Sequence, residues 1–151
     1  MDDTQSAAAR RAQVTADIMA QTSIDDAMIH RVVHTFYDRV RADAVLGPVF
    51  GALITDWEPH LANMCRFWSS VTLKTGIYSG SPMQRHAPLP VDAHHFDRWL
   101  ELFKQTVTEV CPPAATEVFL DAAHRIAQSL EFGIASHRGL MLAKGERLPA
   151  A

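Results

Sequence analysis

The 151-residue chain is poor in cysteine and has no long hydrophobic run. Because Cys65 and Cys111 are the only cysteines and lie far apart, a disulfide framework and a paired-cysteine zinc motif are both excluded. No stretch approaches the ~20 apolar residues of a membrane-spanning helix. The acidic opening Met1-Asp2-Asp3 is not followed by the apolar core of a signal peptide. We therefore expect a cytoplasmic protein that makes no membrane contact.

The chain also lacks an excess of positive charge. It has 14 Lys and Arg residues against 17 Asp and Glu residues, so its formal net charge is −3, which argues against a nucleic acid partner. Hydrophobic residues make up 48% of the chain, enough for a core and too many for a disordered protein. The unusual ratio is eight histidines to two cysteines. This ratio leaves open a metal or cofactor that is held by imidazole.

Strand-like alternation of apolar and polar residues is missing, and the apolar residues recur at helical spacing. The spacing predicts four long helices, over about residues 24–44, 55–74, 92–111 and 115–140. A capping-box pattern at residues 81–84 predicts a short helix that ends near Ala87, because Pro88 and Pro90 prevent its continuation. Residues 49–51 are expected to form an irregular connection. The sequence therefore predicts an all-α fold.

The histidines differ in their sequence settings. Six of them are best interpreted as surface or helix-end residues: His30, His34, His94, His95, His124 and His137. His60 interrupts an otherwise apolar helix face, where an imidazole without a hydrogen bond costs about 1–3 kcal/mol. His86 lies on the short helix, between a cap and two prolines. For both, the residue pattern leaves a structural role open beside a ligand role.

Two aromatic residues carry a polar hydrogen on an apolar helix face. Tyr37 and Trp99 are each explained equally well as core aromatics whose O–H or N–H meets a backbone carbonyl. The core explanation weakens because two such donors and two histidines belong to inward faces of one all-helical domain. Spacing alone does not choose between a core and a binding site.

Six segments match one known family in their order and spacing: residues 36–37, 46–50, 57–61, 67–68, 78–86 and 95–103. They include Phe36-Tyr37, Trp57-Glu58-Pro59-His60-Leu61 and the run from Tyr78 to His86. Over roughly residues 24–140 the chain resembles the truncated haemoglobins, and specifically their third group. The chain has no Gly-Gly pair, which agrees with the third group, because the first two groups usually carry such pairs at helix corners.

The resemblance implies a shortened globin fold, a two-over-two helical sandwich around haem b (iron protoporphyrin IX). The domain would span residues 23–142, after an N-terminal extension at 1–22 that is partly helical or disordered, and before a C-terminal tail at 143–151. His86 matches the proximal ligand of the iron. We expect its other ring nitrogen to donate to a carbonyl about one turn earlier, near Pro82.

The same resemblance assigns the remaining site residues. On the distal side, where a gas ligand binds, the matching residues are Tyr37, His60, Met64 and Trp99. His60 would act as a gate or approach the iron as a sixth ligand. Arg85 is the expected partner of a haem propionate. Phe67, Phe96 and Phe103 are assigned to cofactor binding, although apolar residues of this kind serve equally as core walls.

The expected function is reversible binding of O2, CO or NO at ferrous haem iron, by a monomer or weak dimer. Two distal donors would slow O2 release, which suits ligand chemistry or sensing better than oxygen delivery. One alternative is a haem redox enzyme that converts nitric oxide to nitrate or reduces peroxide, supplied by an electron-donating reductase. Another is a helical interaction protein that binds no haem.

Overall fold

The computed structural model describes the backbone of residues 3–150 and the side chains of residues 6–150. Seven helices follow one another: α1 (Asp3–Thr22), α2 (Asp26–Ala42), α3 (Leu46–Leu53), α4 (Trp57–Leu73), α5 (Pro82–His86), α6 (Ala93–Val110) and α7 (Pro113–His137). The backbone over this range contains no strand, so the all-α prediction is confirmed. Among these helices, none is long and apolar enough to cross a membrane.

The four long helices of the domain pack in two pairs. Helix α2 lies against α4, α6 lies against α7, and α2 also packs on α6, which joins the pairs. Three phenylalanines at the centre, Phe36, Phe103 and Phe119, are almost completely buried. Such side chains stabilise the fold by about 1.5–3 kcal/mol each relative to exposure in water. The pairs therefore form a two-over-two sandwich.

Aspartate side chains cap α2 and α6, whereas the capping box expected at residues 81–84 is wrong, because the Ser81 side chain makes no hydrogen bond to α5. The carboxylate of Asp25 accepts from the backbone N–H of Met28 at 2.8 Å, and Asp92 accepts from His94 N–H at 2.8 Å. These bonds satisfy donors that the first helical turn leaves free. Helix α4 ends at Lys74, which adopts a left-handed conformation with φ of 59°. The predicted long helices are confirmed, although α7 ends three residues before the expected Leu140.

The irregular connection expected at residues 49–51 is wrong, because these residues belong to helix α3. Pro48 lies in the first turn of this helix, where a missing N–H breaks no helical hydrogen bond. The carboxylate of Asp43 accepts from Val45 N–H and Leu46 N–H at 3.1 and 3.0 Å, and it pairs with Arg98 of α6 at 2.7 Å. The Gly47-Pro48 dipeptide therefore lies in the first turn of a helix and does not follow the end of one.

We predict opposite effects for two alanine substitutions in α3. In Gly47→Ala the new Cβ would lie 2.9 Å from the backbone carbonyl oxygen of Arg41, and this overpacking should destabilise the fold by about 1–3 kcal/mol. Gly51→Ala meets no atom within 4 Å, so the better helix propensity of alanine should stabilise the fold by about 0.5–1 kcal/mol. Urea unfolding of both variants measures the difference. Equal effects would contradict the packing of α3 on α2.

The N-terminal extension is helical over Asp3–Thr22, and residues 1–2 lie outside the described part of the chain. Helix α1 packs against α4 and α7. The Thr15 hydroxyl donates to the Leu73 carbonyl at 2.6 Å, and Ile18 packs against the main core. The extension therefore covers one end of the domain.

The C-terminal segment, residues 143–150, also packs on the domain. Leu148 is only 2% exposed, and its backbone N–H donates to the buried carboxylate of Glu131 at 2.8 Å. Its carbonyl accepts from Ala93 N–H at the start of α6, at 2.9 Å. Arg147 bridges Glu131 and Asp97, which joins α7 to α6 through this segment.

Candidate functional site

His86 occupies the last residue of the short helix α5. Its Nδ1 lies 2.6 Å from the carbonyl oxygen of Pro82, one turn earlier, which confirms the expected contact. A carbonyl oxygen can only accept, so Nδ1 carries the proton and the lone pair of a neutral ring is on Nε2. Pro82 starts the helix because its fixed φ suits the first helical position. The sequence therefore builds a small support that leaves Nε2 of His86 available as a ligand.

Helix α5 packs directly against α7. A Cβ added at Gly133 of α7 would overlap the sulfur and terminal methyl of Met83. The missing side chain at Gly133 therefore provides the notch in which the Met83 side chain is seated. This contact fixes the short helix, and with it the imidazole of His86, to a long helix of the domain.

Tyr37 and His60 meet in the space between α2 and α4. Their ring centroids lie 5.0 Å apart with the rings nearly perpendicular, at 85°. Trp57 completes an aromatic cluster, with its centroid 5.6 Å from His60 and 6.0 Å from Tyr37. Phe50 of α3 contacts Tyr37 from another direction at 5.9 Å. The Tyr37 ring is thus held by aromatic contacts on several sides.

His60 has an unusual polar environment. Its Nε2 is buried and has no hydrogen-bond partner, and it is the only such side-chain atom in the part of the chain that the structure describes. Burial is the main cause that lowers the pKa of His60, and the positive charge of Arg85 lowers it further. The His60 imidazole is therefore neutral at pH 7. An unpaired buried nitrogen costs about 1–3 kcal/mol, which a bound partner would recover.

Burial raises the pKa of Tyr37 far above its usual value, so its phenol stays protonated. The unfolded state loses this proton above about pH 10, so the stability contributed by the buried phenol is full below that pH and declines above it. We predict that Tyr78→Phe, which leaves Tyr37 as the single tyrosine, gives no tyrosinate absorbance until the protein unfolds. Tyrosinate absorbance from the folded variant near pH 10 would contradict the burial of Tyr37.

The Trp99 ring is supported by core aromatics. It stacks parallel on Phe103 with centroids 5.4 Å apart, and it meets Phe36 edge-on at 5.5 Å. Phe103 also stacks on Trp68 at 4.8 Å and is 0% exposed. Phe103 therefore lies in the core behind Trp99, and its assignment to cofactor binding stays a prediction.

The other assigned residues lie in different surroundings. Met64 and Phe67 are half-buried on α4 and pack against the main core, and Phe67 meets Tyr78 edge-on at 5.1 Å. Phe96 belongs to a second apolar cluster between α6, α7 and the C-terminal segment. Arg85 is exposed beside His86. Of these four residues, Arg85 affects His60, because its positive charge helps to lower the pKa of that imidazole.

The remaining histidines lie away from this site. The rings of His30 and His34 stack at 3.7 Å on the outer face of α2, and the His95 ring accepts from Asp92 N–H at 3.1 Å as part of a helix cap. Over the described residues, no group of three or more His, Cys, Asp or Glu side chains could hold a metal ion.

Sequence reasoning did not assign Phe50 and Trp57 to the site, although both contact Tyr37. A signal for Phe50 was present, since Leu46, Val49, Phe50 and Leu53 recur at steps of three, one and three. The glycine and proline after Leu46 obscured this helical stripe. The position of Trp57 on the apolar face of α4 indicated that it is buried, but it did not indicate that Tyr37 of α2 is its neighbour.

Comparison with known proteins agrees with this geometry. The sequence profile of the bacterial-like globins matches residues 24–132. The group 3 truncated haemoglobin ctb of Campylobacter jejuni is 32% identical over 114 residues, which cover 72% of this chain and 90% of that protein.

Two crystal structures are similar. A group III truncated haemoglobin from Campylobacter jejuni has a TM-score of 0.68 and 30% identity, covering 82% of this chain and 95% of the other. A haemoglobin from Chloroflexus aurantiacus has a TM-score of 0.60 and 28% identity, covering 75% and 95%.

The residues present fit a haem. One imidazole has a free Nε2 on a fixed support, and His60 has a buried Nε2 without a partner. Haem-based binding of small gaseous ligands follows from the fold family. The two-over-two sandwich and these similarities together show that the chain belongs to the bacterial-like globins, as a truncated haemoglobin of the third group.

Proposed function

We propose that this globin carries haem b and binds O2 and other diatomic gases at its ferrous iron, with His86 as the axial ligand and Tyr37 and Trp99 as distal donors. The observation that carries the proposal is the pair of imidazoles. His86 has Nδ1 fixed to the Pro82 carbonyl, and His60 has a buried Nε2 without a partner. A histidine ligand for the iron and hydrogen-bonding groups in the distal pocket are the features by which a globin controls gas binding to haem.

The contact between His86 and Pro82 has two consequences. It holds the imidazole in one orientation, because the short helix places the carbonyl at 2.6 Å from Nδ1. Partial donation of the Nδ1 proton to the carbonyl also makes Nε2 a stronger electron donor. The chain thus supplies a ligand whose direction and basicity are both set by α5.

Tyr37 and Trp99 are hydrogen-bond donors that keep their protons at neutral pH. When bound, haem supplies a ferrous iron that binds a diatomic gas and leaves partial negative charge on its outer atom. Tyr37 stays a neutral phenol because burial raises its pKa, and the indole nitrogen of Trp99 can only donate. Each donor would contribute about 0.5–1.5 kcal/mol to ligand retention.

His60 and Arg85 complete the proposed site. The neutral His60 ring lies against Tyr37, where its free Nε2 can bond a ligand or a water at the distal entrance. Arg85 is exposed and adjacent to His86, so its guanidinium can pair with a propionate carboxylate. Met64, Phe67 and Phe96 would line the porphyrin with apolar surface.

Gas binding to the reduced, haem-loaded protein tests the proposal. We expect the Soret band to shift on reduction, to shift again on addition of CO, and to change reversibly with O2. Reversible O2 binding separates the proposal from a redox enzyme. In a redox enzyme, nitric oxide would react with the O2 complex, and a supplied reductase would sustain many turnovers. A reduced protein whose spectrum ignores CO and O2 would contradict the proposal.

A further inference from the structure

The segment that follows His86 cannot satisfy its own backbone. Pro88 and Pro90 have no N–H, so the segment has few donors for its carbonyl groups and forms neither helix nor strand. Arg138, the C-cap residue that follows α7, supplies the missing donors. Its Nη2 donates to the carbonyl of Leu89 at 2.9 Å and to that of Val91 at 2.8 Å.

A short chain of hydrogen bonds leads from Arg138 to the imidazole. Leu89 N–H donates to the His86 carbonyl at 3.0 Å, and the His86 ring is bound to Pro82. Leu89 thus links the two residues: its carbonyl accepts from Arg138, and its N–H donates to the backbone of His86. The Nη1 atom of Arg138 donates to the carbonyl of Pro149 at 3.2 Å, which joins the same guanidinium to the C-terminal segment.

The C-terminal segment gives this arrangement a rigid base. Leu148 is buried beside Val91 in the second apolar cluster and is bonded through its backbone to Glu131 and Ala93. A guanidinium that binds two fixed carbonyls and a third in this segment has little freedom to rotate. The loop between α5 and α6 is therefore clamped to the end of α7.

We propose that Arg138 is a positioning residue for the iron-binding imidazole of His86, acting through the carbonyls of Leu89 and Val91. The inference rests on the proposed function, because it takes His86 as the axial ligand. Loss of the clamp frees the loop, so the His86 ring adopts a range of tilts relative to the porphyrin. The iron–imidazole bond then weakens and haem leaves faster.

Resonance Raman spectroscopy of the reduced, ligand-free haem protein tests this role through the iron–imidazole stretching band. In Arg138→Met we expect the band to move to lower frequency and broaden, and haem transfer to a scavenging apoglobin to accelerate about 10-fold. Arg138→Lys keeps the charge but cannot bind the three carbonyls together, so it should give a smaller shift in the same direction. The matched control is Arg125→Met on the exposed face of α7, which should leave the band unchanged.

An unchanged band and haem transfer rate in whichever Arg138 variant folds would overturn the proposal. The lysine variant decides if the methionine variant does not fold. Failure of the proposed function has a different signature, because the unmodified protein would then show no iron–imidazole band, or His86→Gly would retain it. A band that is lost in His86→Gly but unmoved in the Arg138 variants would reject the positioning role alone.

Discussion

Replacement of His86 by glycine is expected to weaken haem binding at least about 100-fold. Removing only the group that hydrogen-bonds a metal-bound histidine already lowers metal affinity about 10–100-fold, and this substitution removes the histidine itself. The substitution removes the imidazole whose Nδ1 is fixed at 2.6 Å from the Pro82 carbonyl. Helix α5 has only five residues, and its seat against α7 is made by Met83, so the domain itself should stay folded. Haem transfer to a scavenging apoglobin, followed by absorption, measures the loss.

Two controls separate ligation from damage to the fold. Free imidazole should restore the spectrum of the reduced His86→Gly protein, because it can enter the space left by the side chain. His94→Gly, at an exposed position in the first turn of α6, should keep the haem affinity of the unmodified protein. If His86→Gly retained the spectrum and the haem affinity, His86 would not be the axial ligand.

Tyr37→Phe is expected to accelerate O2 dissociation about 10-fold, which corresponds to the ~1.4 kcal/mol of one hydrogen bond. Phenylalanine keeps the ring contacts with Phe36, Phe50 and Trp57, so the substitution removes the hydroxyl alone. Burial raises the pKa of Tyr37, so this hydroxyl stays protonated at neutral pH and is available to donate. Stopped-flow displacement of O2 by CO measures the rate.

Trp99→Phe should have an effect of similar size, and the double variant reports the coupling between the donors. Neighbouring donors that share one ligand are not additive, so the double variant should fall short of the product of the two single effects. Tyr78→Phe is the matched control, because Tyr78 packs on Phe67 at 5.1 Å and plays no part in the distal cluster. Unaltered rates in both Tyr37→Phe and Trp99→Phe would exclude a role for either donor.

Much of the fold follows from local rules that the sequence displays. Asp25 and Asp92 precede amphipathic stripes and cap the helices that those stripes predict. The short helix follows from Pro82 at its first position and Pro88 beyond its end, and this helix places His86 one turn after the Pro82 carbonyl. Each of these features is decided within about one helical turn, which is the range over which spacing and capping act.

The remainder depends on contacts between residues distant in the chain. Phe103 and Phe67 lie on similar apolar stripes, yet Phe103 is enclosed by Trp68 and Trp99 whereas Phe67 is only half-buried. Arg138 has no sequence feature that points to Leu89, 49 residues away. Helix α3 was obscured because Gly47 and Pro48 are typical of a helix end, although proline is also allowed in a first helical turn. The start of the helix becomes clear from the Asp43 carboxylate, which accepts from Leu46 N–H.

The central claim is that this chain is a haem protein whose cofactor is held by one imidazole. Titration of the haem-free protein with hemin tests it most directly, with absorption in the Soret region and tryptophan fluorescence followed together. The account predicts saturation at one haem per chain, with quenching because Trp57 and Trp99 lie beside the proposed site. A protein that stays folded while the Soret absorption and the fluorescence quenching both increase without saturation would contradict it.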